Sequence, residues 1–94
     1  MATFLVRIEL HNDPKWDDYE TLHKKMSAQG FYRTITASDG VVYHLPHAEY
    51  ELKGDFQIGV VLEKAKSAAS QVKKKYGALV TQATAQTWTG LEKV

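Results

Sequence analysis

Cysteine is absent from the chain, and with it every disulfide, zinc–thiolate site and thiol nucleophile. Small secreted domains commonly lean on such cross-links, so their lack favours a reducing compartment and a cytoplasmic location is expected. The six glycines are scattered at positions 30, 40, 54, 59, 77 and 90, which leaves no glycine-rich phosphate loop. There is no Gly-x-Ser-x-Gly elbow, and the strands lack the aromatic-and-glycine signature of an RNA-recognition motif. No apolar run approaches the length of a membrane span. The opening Met1-Ala2-Thr3-Phe4 has no positive region ahead of an apolar stretch, so no signal peptide is expected. Charge of one sign is also scarce: a net charge of +1 is too little for electrostatics alone to claim nucleic acid.

What is present is an ordinary globular balance. Ninety-four residues, 44% apolar and 24% charged, fit one domain with a modest core. Thr3 to Leu10 alternates, with Phe4, Val6, Ile8 and Leu10 on one face and Leu5, Arg7 and Glu9 on the other, as a half-buried strand does. Asp13 and Pro14 suit the cap and first residue of a helix to about Gln29. Its stripe is Trp16, Tyr19, Leu22, His23 and Met26, and Gly30 suits its end. Helical spacing assigns Trp16 and Tyr19 to the core and makes His23 a packed histidine. Phe31 to Ala37 reads as a second strand, Ser38-Asp39-Gly40 as a turn, and Val41 to Leu45 as the return. Pro46 predicts a bend, after which Ala48, Tyr50 and Leu52 resume the alternation. Gly54-Asp55 opens a second helix with an apolar face from Ile58 to Tyr76, ended by Gly77, and Ala78 to Ala85 gives a last strand.

This order, β-α-β-β-α-β, predicts an α+β ferredoxin-like sandwich spanning residues 1–94. A four-stranded antiparallel sheet carries both helices on one face. The other face, with Leu5, Arg7 and Glu9, is expected to be open. Such a face suits a dimer partner, a ligand or solvent.

Three groups of residues could carry chemistry. His11, Asn12 and Asp13, with Asp17 and Asp18, offer oxygen ligands for a divalent metal beside a phosphate, or simply an acid-rich helix start. Among His11, His23, His44 and His47, histidine has the titration range for both the base and the acid of RNA cleavage. Arg7 and Arg33 could meet phosphate charge. His44 and His47, without a third ligand, make a weak metal pattern. Lys24, Lys25, Lys64, Lys66 and Lys73 to Lys75 form either a phosphate track or solvated helix faces. Tyr32, Tyr43 and Trp88 are the aromatics expected at the surface, where they could stack on bases.

Phe4-Leu5-Val6-Arg7-Ile8-Glu9-Leu10-His11, Trp16-x-x-Tyr19-x-x-Leu22-His23-x-x-Met26, Gly30-Phe31-x-Arg33-Thr34-Ile35 and Ser38-Asp39-Gly40 together resemble the GhoS-like family of small bacterial proteins. The resemblance implies a ferredoxin-like fold similar to the small nuclease-like subunit of CRISPR adaptation. It also implies an antitoxin that silences a membrane toxin by cleaving its messenger RNA. The site residues come from position and chemistry in this chain, not from the family. His11, Asp13 and Arg33 are expected to be catalytic, and Arg7, Tyr32, Tyr43, Lys24 and Lys25 to bind RNA. No cofactor is expected beyond a divalent metal at Asp13, and a homo-oligomer is expected. Two alternatives stand beside the nuclease. One is a non-catalytic homodimeric module that binds protein or RNA; the other is a small-molecule domain with a pocket on the open sheet face.

Overall fold

Alternation in the first ten residues builds the centre of the molecule. In the computed structural model, which describes residues 2–94, β1 (Ala2–Leu10) lies between β4 (Glu49–Gly54) and β5 (Tyr76–Ala83), antiparallel to both. Phe4 faces Leu52, Val6 faces Tyr50 and Val80, and Leu10 faces Tyr76. Phe4, Val6, Ile8 and Leu10 are buried beneath two helices, α1 (Trp16–Ala28) and α2 (Ile58–Ala69). Leu22 and Met26 of α1 and Val61, Ala65, Ala68 and Ala69 of α2 close the core. The alanines on α2 let its axis come close to the sheet, as small side chains at a contact do. Each large side chain held here contributes roughly 1.5–3 kcal/mol of burial.

The fold is α+β, with two helices and antiparallel sheets, but the sheet is divided. The expected second strand, Phe31 to Ala37, contributes a single bridge at Tyr32 to the free edge of β4. There the amide of Tyr32 donates to the Glu51 carbonyl at 2.8 Å and the amide of Glu51 donates back at 2.7 Å. Beyond Tyr32 the chain leaves that edge, and β2 (Thr34–Thr36) pairs across the expected turn with β3 (Val42–His44); the return strand does not run on into β4 but breaks at Pro46, so β2 and β3 form a separate two-stranded sheet. The C-terminal segment supplies this hairpin with a further partner. His44 N–H donates to the Glu92 carbonyl at 2.8 Å, and Val94 N–H to the Val42 carbonyl at 3.0 Å. Backbone groups that the main sheet leaves unpaired are thereby satisfied elsewhere.

The remaining departures sit at element ends. Asp13 is not the helix cap. Asn12 and Asp13 both take left-handed φ values, 61° and 55°, and α1 begins after Lys15. Asp18 serves that end, its carboxylate accepting the Lys15 amide at 2.9 Å. Trp16 is exposed rather than core: it is the first residue of α1, and the helix buries only Leu22 and Met26, roughly one and a half turns or more further on. The helix stops as expected: Gly30 has φ +91°, and the Phe31 amide reaches back to the Met26 carbonyl at 3.1 Å. Asp55 does not open α2, which starts after Gln57 and ends at Ala69, so Tyr76 is free to begin β5 opposite Leu10. Ala48, at φ 59°, turns the chain into β4 and accepts the Ile8 amide at 3.1 Å. Among the described residues, no helix is long and apolar enough to cross a membrane.

Candidate functional site

Outward positions of β1 are Leu5, Arg7 and Glu9, with His11 following. The His11 ring reaches back to Glu9, Nε2 to Oε1 at 3.0 Å, with both side chains largely exposed. Taken as the Nε2–H tautomer, the ring donates to the carboxylate and leaves the Nδ1 lone pair free. His11, Lys66, Lys74, Lys75 and Tyr76 line one open cavity. The His11 amide donates to the Lys75 carbonyl at 3.1 Å, which ties the end of β1 to the lysine run. Lys73 is engaged already, with its ammonium 3.5 Å from Asp18 and 3.5 Å from the Asn12 carbonyl oxygen. The Lys15 amide, and after it the Lys73 charge, hold Asp18 below the usual carboxylate range. The acidic run after β1 therefore builds a helix start, and Asp13 stands exposed in a tight turn. No group of three or more histidine, aspartate or glutamate side chains converges on a metal position among the described residues.

On the other side of the same end lies a cluster of rings. Trp16 stacks on His47 with centroids 5.9 Å apart, and Tyr19 tilts against His47 at 4.4 Å. Trp16 and His47 are exposed. Deeper, the His23 Nδ1 lies 2.6 Å from the Tyr50 hydroxyl. Burial pushes the Tyr50 phenol up, so it stays protonated and donates to His23. Burial first, and then the charge of Arg33, push His23 down, which keeps it the neutral acceptor. His23 is thus half-buried and packed, as its spacing predicts.

The expected site residues fall into several places. His11 and Asp13 share the β1–α1 corner. Arg33 is exposed just past the Tyr32 bridge, where its charge acts on His23 and Tyr50. Arg7 is exposed on the outer sheet face between Glu49 and Leu79. Lys24 is exposed and Lys25 half-buried in the later turns of α1, about 12–14 Å along the helix from Trp16. Tyr32 is exposed, whereas Tyr43 is half-buried, edge-on to Trp88 at 5.5 Å.

Tyr43 belongs to a different feature, a cavity of about 460 Å³ at the other end of the outer sheet face. Thr3, Tyr43, Glu51, Lys53, Gln86 and Trp88 contribute to its walls. The hairpin and the segment after β5 thus flank a face expected to be open, and Glu51 is buried although it alternates outward. Burial raises its carboxyl above the ordinary range, against smaller opposing effects of Lys53 and a hydrogen bond from Gln86. The alternation around Tyr50 places Glu51 outward, but no pattern signals that distant segments cover it.

Compared with family models, curated proteins and solved structures, the chain matches none.

Proposed function

We propose that the protein acts on RNA as an antitoxin-type endoribonuclease directed at a toxin's messenger RNA, in the cytoplasm, with its active centre at the end of β1. The observation that carries this reading is His11. It is paired with Glu9 at 3.0 Å and shares an open cavity with Lys66, Lys74 and Lys75. The likeness of the first forty residues to the GhoS-like family points the same way. So does the strand order β5-β1-β4 with Tyr32 on the next edge, the sequence of a ferredoxin-like sheet whose outer, second strand has shrunk to one bridge.

In this mechanism the Nδ1 of His11 takes the proton of a ribose 2′-hydroxyl, and Glu9 steadies the imidazolium that forms. The 2′-oxygen bonds to phosphorus, the bond to the 5′-oxygen breaks, and a lysine ammonium or water protonates the leaving oxygen. Lys66, Lys74 and Lys75 meet the charge gathering on the phosphate, the role first expected of Arg7 and Arg33. Trp16 and His47 give a flanking base a ring to stack on. The other expected residues, Asp13, Arg33, Arg7, Tyr32, Lys24 and Lys25, are left to strand contacts outside the reacting centre.

Purified protein incubated with candidate toxin transcripts, with and without EDTA, tests this. Cleavage leaving 2′,3′-cyclic ends is expected. His11→Ala is expected to lower the rate by about 10²-fold or more, and Trp16→Ala to weaken RNA binding about tenfold. Activity unchanged by His11→Ala removes the active centre from this corner.

A second reading has an observation of its own. β5 is an edge strand of eight residues with no charge and no proline, and Leu79 is 64% exposed on it. Edges of this kind pair with another strand unless blocked. A non-catalytic homodimer joined through antiparallel β5 strands satisfies that edge. Sedimentation tests it: the dimer reading expects Leu79→Lys to shift the protein to monomer, and a monomer at all concentrations in the unaltered protein refutes it.

A further inference from the structure

The cavity on the outer sheet face has a chemistry that the His11 corner does not use. Its floor holds a buried carboxylate, Glu51, whose side chain is 10% exposed. Beside it the Gln86 side-chain oxygen is buried with no hydrogen-bond partner. A buried acceptor left unpaired costs stability. A group that donates to it recovers that loss. The Lys53 ammonium stands 3.9 Å from the Glu51 Oε1 and is half-exposed, so it can turn to a second partner. Tyr43 and Trp88, edge-on to one another, supply aromatic walls. The volume lies within the range of small-ligand sites.

We propose that this cavity binds a guanine base. Guanine alone among the common bases presents two adjacent N–H donors and then a carbonyl along its Watson–Crick edge. N1–H and one N2–H meet the Glu51 carboxylate, the other N2–H meets the Gln86 oxygen, and O6 meets the Lys53 ammonium. Adenine and cytosine set a ring nitrogen acceptor against the carboxylate, and uracil sets a carbonyl on each side of its single N–H. Both arrangements leave a buried group unpaired or opposed, and that is where discrimination of this kind comes from. The flat base fits beside Trp88 and Tyr43, as bases do on aromatic side chains. The ribose and phosphate extend toward the opening.

This site is independent of the proposed cleavage. Thr3 at its rim and Leu10 beside His11 stand about 24 Å apart along β1 at the usual strand rise. Among the charged and titratable groups, Lys53 and Tyr43 face Glu51 across the cavity. Binding requires the ionised carboxylate, so it is complete above the pKa of Glu51 and is lost as the pH falls through it. Because burial raises that pKa, the loss starts above the ordinary carboxylate range.

Calorimetric titration of the full chain with GMP, AMP and CMP decides the matter, alongside a uridine hexanucleotide with and without one guanine. At least tenfold preference for GMP over AMP and CMP is expected, and at least tenfold loss in Glu51→Gln and in Lys53→Met. Lys53→Met, at a half-exposed position, carries the test should Glu51→Gln not fold. His11→Ala is expected to leave guanine affinity unchanged, which separates this site from the nuclease reading. Tighter binding of the guanine-containing strand than of GMP assigns the site to RNA, and equal binding assigns it to a free nucleotide; both support a guanine site. Equal affinity for GMP and AMP, no saturable binding of either guanine ligand, or affinity untouched by Lys53→Met overturns it.

Discussion

The Tyr50–His23 bond joins two groups whose titrations burial moves apart, the phenol up and the imidazole down. Tyr50 is wholly buried, so its hydroxyl needs a partner, and the neutral Nδ1 of His23 provides one at 2.6 Å. Protonating His23 removes that acceptor. In the unfolded chain His23 takes a proton near pH 6.5, whereas in the fold its pKa is lowered by burial. Between those two values the unfolded state binds more protons, so stability is full above about pH 6.5 and declines as the pH falls toward the folded value. Tyr50→Phe is expected to cost about 1 kcal/mol in urea unfolding at pH 7.5, and to reduce the stability lost on moving to pH 5. Glu51 has the opposite sign. Its raised pKa means the folded state holds the proton more tightly, so stability falls as the pH rises through the window above 4.5. Without ligand, Glu51→Gln is expected to keep or raise the melting temperature at pH 7.5 and to lose that advantage near pH 4.

At the scale of elements, the endings are instructive. Gly30 combines φ +91° with the back-reaching Phe31 amide. Gly30→Ala is expected to cost about 1–2 kcal/mol through the left-handed backbone alone, since an added methyl would meet only ordinary contact, 3.5 Å from Leu52. Equilibrium denaturation measures it. This stop was legible in the sequence because a glycine after a helical stripe is a local signal. The strand alternation of Phe4 to Leu10, the Ser38-Asp39-Gly40 turn and the presence of two helices were legible for the same reason. The start of α1 was not, because Asp13 satisfies the cap pattern equally well until Asn12 and Asp13 both turn left-handed. Nor was the break in the return strand. β2 pairs with β3 across the turn as its signals predict, but after Pro46 the chain passes to β4 in the other sheet, and residues 92–94 bond to β3 instead. The candidate sites divide likewise. His11 announced itself by type and position, but Lys66, Lys74 and Lys75 come to it through the α2–β5 packing, and Glu51 and Gln86 meet only because the segment after β5 returns.

The whole molecule is a helix-covered sheet with a lighter second layer on part of its other face. That layer rests on the hairpin, the Tyr43–Trp88 contact and the backbone bonds at residues 92 and 94. A chain shortened after Gly90 loses those bonds while keeping every residue of the main core. Hydrogen exchange is expected to speed at the His44 amide by at least tenfold and to stay slow at Val6 and Ile8; equal acceleration at both would mean the two layers unfold as one. Such graded opening is how loosely attached segments behave. The left-handed turn at Ala48 carries a last consequence for this arrangement, one of parity. Successive residues of a strand point to opposite sides, so the residue count between Pro46 and Glu49 decides which of Tyr50 and Glu51 lies under the helices. One insertion there would drive a carboxylate into the oily interior and hand the cavity a phenol, exchanging the two halves of the protein's chemistry without altering a single side chain.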